Sequence, residues 1–206
     1  MTTLAAGSRM VRTRGDVVLL VGGTVLLVLS ALPVRRHSIS GLEAHVFHAI
    51  NTHTVLPFVV VWPIMQLGNI GAVPIAAAVA AILRKWRLAA GILLGGLVTY
   101  FLAKVVKKIV VRGRPPDLVD DVRTRGAAAL GRGYVSGHAA VVTLLVTLTW
   151  PYLSRNGRIV AVALAVAVCL ARVYVGAHLP LDIVGGAALG LAVGGAVRLM
   201  LGHPVR

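Results

Sequence analysis

Uncharged apolar runs alternate with short polar connectors along the chain. They cover residues 17–34, 55–83, 88–103, 137–153, 159–171 and 183–197. Uninterrupted apolar stretches approaching the ~20 residues that span a bilayer are read as membrane helices. The pattern therefore predicts an all-α polytopic integral membrane protein, a six-transmembrane-helix bundle forming one domain over 1–206. The run 55–83 contains Pro57, Pro63, Pro74 and the turn-like Gly68-Asn69-Ile70-Gly71. Two crossings would need roughly 40 apolar residues, and 29 are present, so one long, kinked crossing is expected. Between the first two runs, Leu42, Ala44, Val46, Phe47 and Ile50 suggest a short interfacial helix. Arg9, Arg12 and Arg14 precede the first run as in a signal peptide. A cut after Ala31 would leave Leu29 where a small residue is preferred, so an uncleaved anchor is expected.

Composition excludes a soluble domain. The 206 residues are 58% hydrophobic and 13% charged, with mean hydropathy +0.89. Lys and Arg number 21 against 6 Asp and Glu, a formal charge of +15, which points to phosphate groups or lipid headgroups as partners. Nucleic acid is disfavoured, since aromatics are 5% and no soluble domain offers a groove. The single cysteine, Cys169, excludes an intrachain disulfide. With six crossings, the basic connectors 84–87 and 154–158 and the tail 202–206 share one side with the N-terminal tail 1–16, the cytoplasmic side by the positive-inside rule. Arg35, Arg36, Lys107, Lys108, Arg112, Arg114, Arg123, Arg125 and Arg132 fall on the other side. That conflict with the rule disappears if the outer cations bind phosphate. Gly186, Gly190 and Gly194, four apart in the last run, read as a helix-packing face.

Each polar group in so apolar a chain can be weighed singly. Asp16 before the first run, Glu43 in the interfacial helix, Asp117, Asp120 and Asp121 in the longest loop, and His203 in the tail read as solvated. His45 and His48 lack a third ligand, and no cysteine or histidine spacing resembles a metal site. Three groups at the mouths of runs differ: Lys107 with Arg114-Pro115, then Ser136-Gly137-His138, then Arg172, His178 and Asp182. All three lie on one membrane face, however the second run is counted, so they can converge. Lys107, Arg114 and Arg172 supply cations, and the guanidinium forks suit phosphate oxygens. Ser136 and Gly137 are placed like a helix N-terminus, which favours an anion. The two histidines suit a nucleophile and a general acid. Asp182, four residues after His178 with Pro180 as a helix starter, could fix the imidazole tautomer. His178 and Asp182 could equally form a helix cap.

These nine positions, Lys107-x6-Arg114-Pro115, Ser136-Gly137-His138 and Arg172-x5-His178-x3-Asp182, resemble the three-part signature of the type 2 phosphatidic acid phosphatase superfamily. Residues 107–182 carry the resemblance. It implies an enzyme: His178 as nucleophile forming a phosphohistidine, Asp182 orienting it, and His138 protonating the leaving oxygen and then activating water. Lys107, Arg114, Ser136, Gly137 and Arg172 would hold the phosphoryl oxygens, and no metal or other cofactor is implied. Two positions depart from the family pattern, Val135 for the usual Pro and Ala171 for the usual Ser.

Three classes of function are separable at this level. A membrane phosphatase fits the complete signature. A non-catalytic lipid-phosphate binder or transporter would be expected to have lost His178 or His138, and both are present. A haloperoxidase-like enzyme would be soluble. Polyprenyl diphosphates such as undecaprenyl diphosphate, phosphatidic acid, phosphatidylglycerophosphate and lipid-linked sugar phosphates all fit a site at a bilayer surface. The Ala/Val/Gly/Arg bias suggests a bacterial chain and a plasma-membrane location. Arg123, Arg125 and Arg132 either reach a second phosphate or are solvated.

Overall fold

The computed structural model describes residues 10–34, 37–52, 55–126 and 130–204. Arg9, Arg35 and Arg36, the first part of the expected 1–16 tail, and residues 205 and 206 of the basic tail lie outside the described residues. Eight α-helices are present among those described: α1 (Arg14–Ala31), α2 (Gly41–Asn51), α3 (Phe58–Gln66), α4 (Ala72–Ile82), α5 (Trp86–Ile109), α6 (Gly137–Thr149), α7 (Arg155–Tyr174) and α8 (Pro180–Leu201). Short 3-10 turns occupy Pro115–Asp117 and Trp150–Tyr152. Met10–Val11 pairs antiparallel with His203–Pro204, so the N-terminal tail is tied down from Met10 onward.

Four helices, α1, α5, α7 and α8, are long and apolar enough to cross a membrane, and the all-helical membrane architecture stands. The run 55–83 divides into α3 and α4. Pro57 sits at the α3 N-cap and Pro63 inside it, but the division falls at the Leu67–Gly71 turn, where Asn69 Oδ1 accepts the Gly71 N–H at 2.9 Å. An Asn side chain closing on the backbone two residues ahead competes with helix continuation. Each piece is shorter than the hydrocarbon thickness, α4 with 11 residues rising only about 17 Å.

Helix α8 is the central pillar, lying against α1, α5 and α6. Its glycine stripe permits this. A Cβ on Gly186 or Gly190 would run into the carbonyls of Ser136 and Ala140, and one on Gly194 into Thr147, all along α6. The sequence reading of these glycines as a packing face holds: backbone meets backbone, and dispersion contact replaces the hydrophobic drive that lipid does not provide. The main apolar core, with Ile92, Leu144, Leu148, Leu189 and Val193, lies at this junction. It fixes the starts of α6 and α8 side by side.

Two of the polar residues read as solvated, one near each end of the described chain, are buried. Asp16, 0% exposed, is paired with Arg198 at 2.8 Å and His203 at 3.1 Å, and His203 is itself buried. The sequence separation of 187 residues in the His203 contact hid this clasp between the chain ends.

Candidate active site

The α7–α8 bend carries the central pair. Gly176 adopts φ +73°, a left-handed conformation that reverses the chain. The N–H groups of Ala177 and His178 then return to the Arg172 carbonyl at 3.1 and 3.2 Å. Pro180 opens α8, and Asp182 is its third residue. One carboxylate oxygen, Oδ2, accepts the Leu179 N–H at 3.0 Å and faces His178 Nδ1 at 3.3 Å. The cap and the contact with His178, read from sequence as alternatives, fall on the same atom.

His178 is almost wholly buried. Burial, reinforced by Arg114 and Arg172 against the opposing pull of Asp182, pushes its pKa down to about 3, so the imidazole is neutral at physiological pH. Nδ1–H is assigned toward Asp182, and Arg114 Nη1 lies between the two ring nitrogens, 3.1 Å from Nε2 and 3.3 Å from Nδ1. The guanidinium of Arg114 also donates to the carbonyls of Ala177, Gly131 and Leu130 at 2.8, 3.1 and 3.0 Å. Burial lowers the Arg114 pKa, with Asp182 and Asp117 opposing. Asp117 is exposed, and its role is local: it accepts the Arg114 N–H at 2.9 Å. Among the described residues no group of acidic, histidine or cysteine side chains has the form of a metal site.

Ser136 caps α6, its hydroxyl accepting the Ala139 N–H and its own N–H bonding the Asp182 carbonyl at 2.8 Å. That bond ties the second signature group to the third. Lys107 spreads its three N–H donors over the carbonyls of Arg132, Gly133 and Val135 at 2.9, 3.2 and 2.7 Å, so it staples the segment before Ser136 as well as charging the site. Val135, the departure from the family pattern, is buried and supplies the shortest of these bonds; Ala171 is buried beside Val61, Met65 and Tyr174. Arg172 has Met65 Sδ at 3.5 Å as its recorded contact, and its buried Nε has no partner among the described residues. Among the described residues it is a cation without a carboxylate partner.

His138 lies in the first turn of α6, with the α3–α4 turn packed on it. A Cβ at Gly68 would come within 2.8 Å of the His138 carbonyl and 3.0 Å of its Cβ, so a glycine in the turn that divides the second run is what lets that turn reach His138. His138, Gly137, Lys107, Lys104, Tyr100, Thr99 and the Gly68–Ile70 turn line a cavity of about 340 Å³. Lys104 lies 4.2 Å from the Tyr100 ring centroid, within cation–π range.

Glu43, read as solvated, is 6% exposed, and Arg112, counted only as an outer cation, is 1% exposed. Arg112 Nη1 donates to Glu43 Oε1 and to Asp182 Oδ1, both at 3.0 Å, and Nη2 bonds Glu43 Oε2. Burial lowers the Arg112 pKa, but the hydrogen bonds and charges of Glu43 and Asp182 outweigh it and the net direction is up. One signal was available: Glu43, Phe47 and Asn51, the buried residues of α2, are four apart and so share a helix face. Leu42 and Val46, assigned to the apolar face, point outward.

A family model described as the PAP2 superfamily matches residues 84–204. The chain belongs to the PAP2 superfamily. It is 27% identical over 124 residues to an undecaprenyl-diphosphatase of Sulfolobus acidocaldarius, a match covering 57% of each protein. The chain thus spans little more than half the length of that curated relative. Two solved structures share the fold. LpxE of Aquifex aeolicus superposes with a TM-score of 0.71 at 22% identity, covering 77% of this chain and 95% of that one. A transmembrane PAP2 type phosphatidylglycerolphosphate phosphatase of Bacillus subtilis gives 0.66 at 23% identity, covering 90% of this chain and 95% of the other.

Proposed function

We propose that this PAP2 protein is an integral membrane phosphatase that hydrolyses a lipid phosphate or diphosphate through a phosphohistidine on His178. The observation carrying this reading is a neutral, buried His178 with Asp182 at Nδ1 and the Arg114 guanidinium beside both ring nitrogens. Substrate phosphate draws Arg114 onto its oxygens, freeing the Nε2 lone pair to attack phosphorus. The P–N bond forms as the P–O bond to the leaving group breaks, and His138 gives that oxygen its proton. His138 then takes a proton from the water that cleaves the P–N bond. Arg172, the first N–H groups of α6 and the Lys107 charge stabilise the oxygens as charge redistributes. Asp182 stabilises the imidazolium character that develops on His178.

The cavity beside His138 supports the proposed substrate class. Its walls include apolar side chains of α5 and α6 together with two lysines, which suits an amphiphile whose tail lies in the bilayer. Polyprenyl diphosphate, phosphatidic acid and phosphatidylglycerophosphate are the classes proposed, and the names of the relatives support that range. Six crossings are proposed, with α3 and α4 together forming one. The N-terminus is then cytoplasmic, the site is on the opposite face, and the membrane is a bacterial plasma membrane.

The test is phosphate release in detergent with EDTA from those three lipids, by wild type and by His178→Ala. Release that disappears in the variant supports the phosphatase. Binding of the lipids without release by either protein overturns it in favour of a lipid-phosphate binder or transporter.

A further inference from the structure

A continuous chain of buried charged and polar side chains runs from α2 to the α7–α8 bend: Glu43, Arg112, Asp182, His178. We propose that Glu43 and Arg112 are positioning residues for the nucleophile. Glu43 takes up most of the Arg112 charge, so that Asp182 keeps its negative charge to polarise His178. This inference rests on the reading of His178 as nucleophile.

The division of hydrogen bonds carries the argument. Arg112 gives Glu43 two donors, one to each oxygen, and gives Asp182 one. Each oxygen of Asp182 then has a separate task. Oδ1 is held by Arg112, while Oδ2 serves the Leu179 N–H and His178. The plane of the carboxylate is fixed from both ends. Glu43 Oε1 also accepts the Leu181 N–H at 2.9 Å, anchoring the first turn of α8, from which Asp182 projects.

Charge gives the second part. Two carboxylates around one guanidinium leave a net negative charge at the base of His178. The other charged groups facing the imidazole are cations, Arg114 from the segment after α5 and Arg172 from α7. Without Glu43, the Arg112 cation would fall wholly on Asp182 and cancel the only charge that stabilises an imidazolium there. Burying three charges is costly, and apolar side chains of similar volume would hold α2 in place as well. A purely structural tie would not need the second carboxylate.

The experiment measures kcat, KM and the pH profile of kcat/KM for Glu43→Gln, Arg112→Gln, the double variant and Arg112→Lys, beside wild type and His178→Ala. Thermal melting in detergent monitors folding. Outer partners that orient metal ligands are worth about 10–100-fold, and a kcat loss of that order is expected for Glu43→Gln, with KM nearly unchanged. The acid limb of its profile should move to lower pH, because the imidazolium loses a favourable negative charge. The double variant has the wild-type net charge at this locus and should be faster than either single variant. Arg112→Lys keeps the charge but cannot hold both carboxylates, so it should slow turnover without moving the limb, and it serves where Glu43→Gln fails to fold. A wild-type kcat and limb in Glu43→Gln, a double variant no faster than the singles, or a wild-type kcat in Arg112→Lys would overturn the inference. Wild-type turnover independent of His178 would instead overturn the functional reading beneath it.

Discussion

The two ends of the bundle contain nearly the same arrangement. At one end Asp182, third residue of α8, is paired with Arg112 at 3.0 Å and with His178 at 3.3 Å. At the other, Asp16, third residue of α1, is paired with Arg198 at 2.8 Å and with His203 at 3.1 Å. Both carboxylates are 0% exposed, and both accept an N–H from the residue preceding their helix, Leu179 or Thr13. A His-Asp-Arg cluster therefore does not define a reactive centre by itself. The surroundings differ. His203 uses Nε2 toward Asp16 and Arg198, and its Nδ1 lies 3.2 Å from the Pro204 carbonyl. His178 has Arg114 beside both ring nitrogens, with Arg172 lacking a carboxylate among the described residues and the α6 N-terminus tied alongside. One cluster clasps the two ends of the described chain, and the other lies beside two further guanidinium groups, Arg114 and Arg172.

Paired substitutions can break this comparison. The largest effect is expected for His178→Ala and Asp182→Asn: phosphate release lost in the first and reduced by about 10⁴-fold in the second, as for the orienting carboxylate of a triad. His203→Ala and Asp16→Asn should retain kcat. Asp16→Asn should lower stability by about 3–5 kcal/mol, the cost of breaking a buried ion pair, seen as a reduced Tm in detergent. Activity loss in the Asp16 variant with an unchanged Tm would erase the distinction.

A smaller effect concerns pH. His178 is neutral when folded, with a pKa pushed down to about 3 by burial first, whereas the unfolded chain titrates near the ordinary value of about 6.5. Below that value the unfolded state binds a proton that the folded state does not. The His178 contribution to stability is thus intact above about 6.5 and is lost as pH falls toward 3. The Tm of wild type should fall more steeply than that of His178→Gln across this window; parallel curves would contradict the buried neutral imidazole.

The smallest effect is expected from replacing Arg123, Arg125 and Arg132 together with Gln. Each donates to backbone carbonyls, those of Thr52, of Tyr174 and Asn51, and of Lys107. The ranking of monophosphate against diphosphate lipids should survive. A reversed ranking would make these side chains part of the headgroup site.

Much of this was legible in the sequence because it is local. Ser136 before an apolar run predicts a capped helix, Pro180 predicts a helix start, and Asp182 four residues after His178 predicts their contact. The convergence of three mouths followed from crossing parity. The hidden parts are long-range pairings. Glu43 meets Arg112 across 69 residues, and nothing near Glu43 announces a cation, although its shared face with Phe47 and Asn51 marks it as buried. Asp16 and His203 were hidden in the same way. The division of the second run was visible in Gly68 and Asn69, but apolar length favoured a single kinked helix, because counting residues does not register a side chain closing a turn.

The most direct test of the central claim is to trap the phosphoryl group. The wild-type protein is mixed with a labelled lipid phosphate, quenched in alkali within the first turnover and digested, and the label is located by mass spectrometry. The account predicts one phosphorylated residue, His178, and no label in His178→Ala. Label on another residue, or phosphate release that persists without His178, would contradict it.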